Sequence, residues 1–496
     1  MCLVRFDTPA GQQLDYFSSG VPASVNSGLT DMSHWSPDNV LTFDMMVTPG
    51  LCDDVDNTAL IAQAQRLFTA LQKLTSRTLA YSAADIVFLQ YAIGDMMLWH
   101  EYGIKLYGLM ELIVSQNRSW PETLYAGLGI TPTVLEQWKR GLSDFRRKLN
   151  IRSSEINSFH MIKSWTLFDY PRKLVSNVYL DASSVKAQAY QFRPVILHRW
   201  KETEGTEPAP NSLATVYHPA TLTMDAYWNV ANQLYNSLVS SGSIGRINAD
   251  LERLYGSDLK NYIIVPYIPE DYVIDPIIDA NVLFMIGNAV VPGIKTIGDQ
   301  SSGFATRYDI TQAGEKNAIY FDPTVPYASS FVSKTPNPIL EMDKILNFRG
   351  EGVTALDVLN YTAFMCSLKP TSAGLAKFTA VGPILITDAT IYRRDLSASV
   401  GYETAEVNSY PGVSSAGAGT TVSDVFESAA TVVNNLAKLS QFDWHFPVYT
   451  GFENSDTTAN WFIAAPFYDV DNCVNVTASD LKKIFYAVII LSLIHI

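Results

Sequence analysis

The order of hydrophobic periodicities constrains this chain more than any other feature. Helical spacing dominates from residue 58 to about 150, strand-like texture runs from 261 to about 333 and again over 381–394, and helical spacing returns after 420. Leu60, Ile61, Ala64, Leu67, Phe68, Leu71 and Leu74 recur every three or four residues, which predicts an amphipathic helix of about five turns. Ser82, with Asp85 three residues on, reads as a capping box that opens a second helix running through Ile86, Leu89, Ile93, Met96 and Met97. Gly94, Gly103 and Gly108 lie inside it. Each costs a helix about 1 kcal/mol against alanine, so they predict close packing or a break. Thr131-Pro132 supplies a cap and a first-turn proline for a third helix, with Leu135, Trp138, Leu142, Phe145 and Leu149 on one seam.

Beyond the polar run 201–212, Trp228, Ala231, Tyr235 and Leu238 predict one short helix, and Ile247, Leu251 and Leu254 a second, closed by Gly256. NYIIVPYI and VLFMIGNAVV read as strands, with Gly287-Asn288 as a turn. A helix is expected at 353–368, ending before Pro370, then strands over 381–394, a flexible linker at 411–420, and a helix on Val425, Ala429, Val432, Val433 and Leu436. With 496 residues the chain exceeds the ~250–300 at which one core stops growing. The expectation is an α+β protein in which a β-rich domain, 205–410, is inserted into a helical one built from 58–204 and 411–490, behind an irregular arm at 1–57.

Composition narrows the function. Charged residues are only 17% and aromatics 12%. That suits either a surface covered by partners or a β-rich protein, and composition does not separate them. Cys2, Cys52, Cys366 and Cys473 are too scattered for a disulfide framework or a zinc site. No secretory signal opens the chain, and the apolar run from Ile484 is shorter than the ~18–20 residues of a membrane span. Its ending, LSLIHI, reads as the translation of a sequencing adapter, so 491–496 are expected to be non-native and the true C-terminus missing.

Nucleotide-binding, hydrolase, zincin and CxxC signatures are all absent from the sequence. No histidine has metal-ligand spacing. Asp271, Asp275 and Asp279 share a parity that would put them on one face of a strand, either as calcium ligands or, preferably, as an acidic edge. Asp54-Val-Asp56-Asn57 begins like a calcium loop but has Ala59 where glycine is needed. Charge is more informative. The chain carries −14, yet Lys139 to Lys201 holds 13 basic and 4 acidic residues. Such a segment either faces phosphates or pairs with the acidic remainder.

Residues 81–194 resemble picobirnavirus capsid proteins. The resemblance is carried by Tyr81 with Asp85, Tyr107-Gly108, Asn117-Arg118 with Pro121, and the Gly129-Ile130 turn. It continues through Asp144-Phe145-Arg146 and the alternating Lys186, Gln188, Tyr190, Phe192 and Pro194. It implies a non-enzymatic coat protein of a double-stranded RNA virus, synthesised in the host cytoplasm and resident in the virion, with no cofactor or metal. Symmetric dimers of a helix-rich shell domain would close an icosahedral particle, with the β-rich domain protruding and available to a host receptor. Arg140, Arg146, Arg147, Lys148 and Arg152 would then face the genomic RNA without sequence specificity. Relatives often carry a basic N-terminal arm, whereas residues 1–57 hold one basic residue, Arg5. Either this lineage lacks the arm or the true start lies upstream. A carbohydrate- or receptor-binding protein acting through its β-rich middle is the alternative. An enzyme using Asp271, Asp275 or His218 is a third reading.

Overall fold

A computed structural model describes residues 39–50, 59–76, 78–114, 122–183, 187–202, 211–294, 308–313, 318–321, 324–326, 344–347, 360–372, 375–395, 398–409, 411, 422–453, 459–463 and 473–476. The chain opens with β1 (Asn39–Val47), then α1 (Ala59–Thr75), α2 (Ala83–Val114), α3 (Glu122–Gly127), α4 (Pro132–Ile156) and α5 (Asp169–Ser176). Next come β2 (Val178–Leu180), β3 (Ala189–Lys201), β4 (Ser212–Tyr217), α6 (Met224–Val239), α7 (Gly242–Tyr255) and α8 (Ala280–Gly287). Short strands follow: β5 (Ile310–Ala313), β6 (Ala318–Tyr320), β7 (Thr324–Pro326), β8 (Lys344–Asn347), β9 (Cys366–Ser372) and β10 (Leu375–Val381). The last elements are β11 (Ile384–Arg394), β12 (Tyr402–Val407), α9 (Val422–Leu439), β13 (Tyr449–Glu453), β14 (Ala459–Ile463) and β15 (Cys473–Val476).

β1 corrects the expectation of an irregular arm over 1–57. It lies inside an eight-stranded sheet ordered β12–β11–β1–β3–β4–β5–β6, with β2 also on β3. It runs antiparallel to β11 and parallel to β3. A central strand buried on both faces shows no alternation. Its two buried polar residues hide it further, because Thr42 and Asp44 meet their side-chain partners only in the tertiary structure, opposite them on β3. Gln191 donates to Thr42 Oγ1 at 3.0 Å, and Arg193 Nε donates to Asp44 Oδ1 at 2.8 Å. Pro194 sits where the β1–β3 register slips, the bulge position that tolerates a residue without an N–H.

α2 is the axis of the helical layer. α2 carries apolar residues on every side, as a core helix does, and is buried nearly from end to end. Its capping box forms: Ser82 N–H donates to Asp85 at 2.7 Å, and Asp85 N–H to Ser82 Oγ at 3.3 Å. The three glycines mark close packing, not a break. A Cβ at Gly94 would strike the Phe168 ring, one at Gly103 the Tyr227 hydroxyl, and one at Gly108 would lie 2.7 Å from Ile274 Cγ1.

Polar residues recur along α2 at every fifth position: Asp85, Gln90, Asp95, His100 and Lys105, all buried. At 3.6 residues per turn a five-residue step turns about 140°, so each meets a different neighbour. Asn211 donates to Asp85 at 2.8 Å. Gln90 donates to the His160 carbonyl and accepts from Ile162 N–H, both at 2.9 Å. Asp95 accepts the His198 N–H at 2.7 Å. His100 meets Ser153 on α4 at 3.0 Å, and Lys105 donates to the Phe192 carbonyl on β3 at 3.4 Å.

The α4, α6, α7 and α9 predictions hold, with Gly256 closing α7 at φ +75°. VLFMIGNAVV does not form a strand. Asp279 caps its first turn, accepting from Asn281 N–H at 3.0 Å, and the apolar run becomes α8, with Asn288 at its C-terminus. NYIIVPYI forms no strand either: 263–279 turns at 270–271 and makes only an isolated bridge, Ile277 to Tyr179, so Asp271, Asp275 and Asp279 share no strand face. Pro370 lies in β9, which begins at Cys366, inside the helix expected to 368. A division at 204/205 would separate β3 from β4, which are hydrogen-bonded neighbours, and residues 213–294 pack into the helical core. Residues 1–38, most of the 353–368 helix and 411–420 linker, the Asp54 loop, Asn117 to Pro121, Lys186 and 477–496 lie outside the described residues.

Candidate nucleic-acid interface

α4 carries all five of the proposed RNA-facing residues, and its sequence decides which way they turn. Val134, Trp138, Leu142, Phe145, Leu149, Ser153 and Ile156 bury one stripe against the core. Arg140, Arg147 and Lys148 fall on the opposite, exposed face. Asp144, between them, pairs with Arg147 at 2.7 Å and Lys148 at 2.8 Å. The hydrogen bonds from Lys148 and Arg147 hold its carboxyl below the usual range. The exposed stripe therefore keeps a positive excess.

Arg146 and Arg152 are placed differently, on the flanks of α4. Arg146 bonds Glu270 at 2.7 Å and the Ile268 carbonyl at 3.3 Å. Arg152 donates to Asn232 at 2.8 Å, pairs with Glu155 at 3.0 Å, and lies over the Tyr235 ring at 4.3 Å. Both are tied into packing between elements.

An extended segment, 263–270, runs antiparallel along α4, held by two asparagines. Asn150 and Ile268 exchange a pair of amide bonds at 2.8 and 3.0 Å, and Asn157 and Val265 another at 2.8 and 2.9 Å. The spacing is the reason this works. Seven helical residues span ~10.5 Å, and three extended residues span ~10 Å. Val265 and Ile268 are thereby buried, while Tyr267 is left 64% exposed beside Ile151, 49% exposed. An open groove of about 360 Å³ results, lined by Arg146, Arg147, Asn150, Ile151, Ser154 and Tyr267. Sequence reading missed this clip, although Asn150 and Asn157, two helical turns apart, were its visible trace.

The buried polar groups that look like chemistry serve the fold. His198 Nδ1 lies 3.0 Å from Asp95, and its Nε2 faces the Tyr308 carbonyl at 2.8 Å. Both side chains are fully buried. The Ser153 hydroxyl beside His100 is equally inaccessible, and burial, with Arg152 and Arg172, lowers His100 to about 3. His218 is buried with Nδ1 facing the Pro219 carbonyl at 2.7 Å. Asp271 and Asp275 are exposed, whereas Asp279 pairs with Lys173 and caps α8. Among the described residues no three His, Cys, Asp or Glu side chains converge as metal ligands would. No described helix is long and apolar enough to cross a membrane.

Known proteins resemble this chain in sequence and in fold. The family described as "Picobirnavirus, Capsid protein" matches residues 2–410. The capsid protein precursor of Human picobirnavirus (strain Human/Thailand/Hy005102/-) is 24% identical over 377 residues, 74% of this chain and 67% of that protein. The X-ray crystallographic structure of the picobirnavirus capsid matches with a TM-score of 0.70 at 18% identity, covering 95% of this chain and 91% of that one. The structural likeness shows the fold, and the sequence match shows the lineage: this chain belongs to the picobirnavirus capsid protein family.

Proposed function

We propose that this coat protein, made in the host cytoplasm, assembles through symmetric dimers into a closed icosahedral shell around double-stranded RNA. Arg140, Arg147 and Lys148 face the genome in this reading. The observation that carries it is the exposed cationic stripe of α4 on a chain of net charge −14. Duplex phosphates attract such a stripe through counterion release, without reading bases. Arg146 and Arg152 act beneath it, holding the 263–270 segment and α6 in place.

The protruding unit is assigned to the small sheet β7–β10–β9, which stands apart from the eight-stranded sheet in strand pairing. A host receptor would meet it there. Carbohydrate binding by isolated subunits would favour the alternative in which that region alone carries the function.

Reversing charge at Arg140, Arg147 and Lys148 together to glutamate tests the RNA assignment. Encapsidated RNA per particle, read from the 260/280 nm absorbance ratio of purified particles, is expected to fall several-fold while dimers persist. Unchanged RNA content would contradict the inward-facing assignment.

A further inference from the structure

Between its two asparagine clips the 263–270 segment turns one ring outward. Val265 and Ile268, the clipped residues, are buried, and Tyr267 between them is not. The chain here is stiff. Pro266 precedes Tyr267 and Pro269 follows Ile268, so two φ angles are fixed and the residue before each proline is held extended. The phenol is held as well, its hydroxyl sharing a hydrogen bond with Ser154 at 2.7 Å. Opposite the segment, Arg147, Ile151 and Ser154 follow one another at i, i+4 and i+7 on one face of α4. The groove between ring and helix is lined by two arginines and no carboxylate. Arg146 is taken up by the segment itself, through Glu270 and the Ile268 carbonyl. Arg147 gives one N–H to Asp144 and is 65% exposed, which leaves its other donors open to solvent. Charge alone does not single out this place: α1 bears an open groove of about 520 Å³ with Arg66 and Lys73, but no aromatic side chain lines it. A fixed, exposed ring beside an open guanidinium is the combination that holds a nucleobase and its phosphate.

We propose that the groove between α4 and residues 263–270 takes unpaired RNA, with a base stacked on Tyr267 beside Ile151 and its phosphate on Arg147. This rests on the RNA-facing reading of α4 and narrows it to single strands at this groove. Bases inside a duplex stack on one another and cannot reach the ring, so a duplex meets only the cations. Counterion release by itself favours the duplex, whose charge is denser. A preference for the single strand therefore reports the ring and not the charge.

Fluorescence anisotropy of the expressed full chain tests this, with a labelled, unstructured RNA of about 12 nucleotides and the same strand in duplex, at one salt concentration. The single strand is expected to bind roughly tenfold or more tightly than the duplex. Tyr267→Ala should weaken single-strand binding roughly 10- to 100-fold and leave duplex binding unchanged. Tyr267→Phe, which keeps the stacking face, should keep the preference. The Tyr267→Ala protein should sediment as the wild type does. A wild type that binds the duplex as tightly as the single strand would overturn the proposal. So would a Tyr267→Ala protein that loses neither RNA or loses both equally. Sedimentation of Tyr267→Ala as a smaller species would overturn it too, because a second copy would then be what covers the ring. The Arg140, Arg147 and Lys148 reversal separates the two readings. Equal binding of both RNAs by the wild type, lost for both on reversal, overturns the groove and leaves α4 facing RNA. A wild type that binds neither RNA overturns both.

Discussion

Lys105 has its ammonium wholly buried, with the Phe192 carbonyl as acceptor at 3.4 Å. Burial pushes its pKa down to about 7. Unfolding restores the ordinary value near 10.5, so between these two pH values the unfolded chain binds more protons. Stability therefore rises with pH across that window, and the penalty is fullest below it. Lys105→Met, which fills the space without charge, should stabilise the protein by about 1–4 kcal/mol at pH 6.5 and flatten the rise towards pH 9.5. Denaturant titrations at the two pH values check this. Equal pH dependence in both proteins would contradict it. The arrangement stood in the sequence as polar residues at intervals of five along α2, but apolar periodicity passes over them. Asp44 was illegible for a related reason. Its meaning depends on Arg193, 149 residues away, and burial of that guanidinium is outweighed by Asp44 and Tyr392, which hold it protonated.

At the scale of elements, glycines that look alike in sequence differ in what surrounds them. A methyl at Gly103 meets the Tyr227 hydroxyl, whose own bond runs to the Trp99 carbonyl at 3.2 Å. Gly245, on the exposed side of α7, has nothing within 4 Å. Gly103→Ala should cost about 1–3 kcal/mol through overpacking. Gly245→Ala should gain about 0.5–1 kcal/mol through helix propensity. Thermal unfolding of the two variants should move in opposite directions. Elements with a polar face to contrast with an apolar one, such as α1, α4, α6 and α7, were legible from spacing alone. α8 was not, because an apolar run without alternation fits a strand or a buried helix equally. The Asp279 cap in front of it was the discriminating signal.

At the scale of the molecule, the sheet joins segments more than three hundred residues apart, with β1 beside β11. Asn39 stands opposite Arg393, and β3 pairs with β1 and β4 on either side of the expected arm and domain boundaries. Periodicity reports an element's faces but not its partner, so domain limits drawn from changes of texture cut across this pairing. The charge split was legible, and the structure sorts its members. Arg140, Arg147 and Lys148 stand on an exposed face, while Arg146 and Arg152 bind neighbouring elements. Low overall charge suits a subunit covered by its own copies, since a closed shell needs isologous dimer contacts and further symmetric contacts together. Sedimentation and negative-stain electron microscopy of the expressed chain, over a range of protein concentration and salt, test that account most directly. Dimers that close into uniform spherical particles as concentration rises are the predicted result. A protein that stays monomeric at every concentration and salt would contradict it.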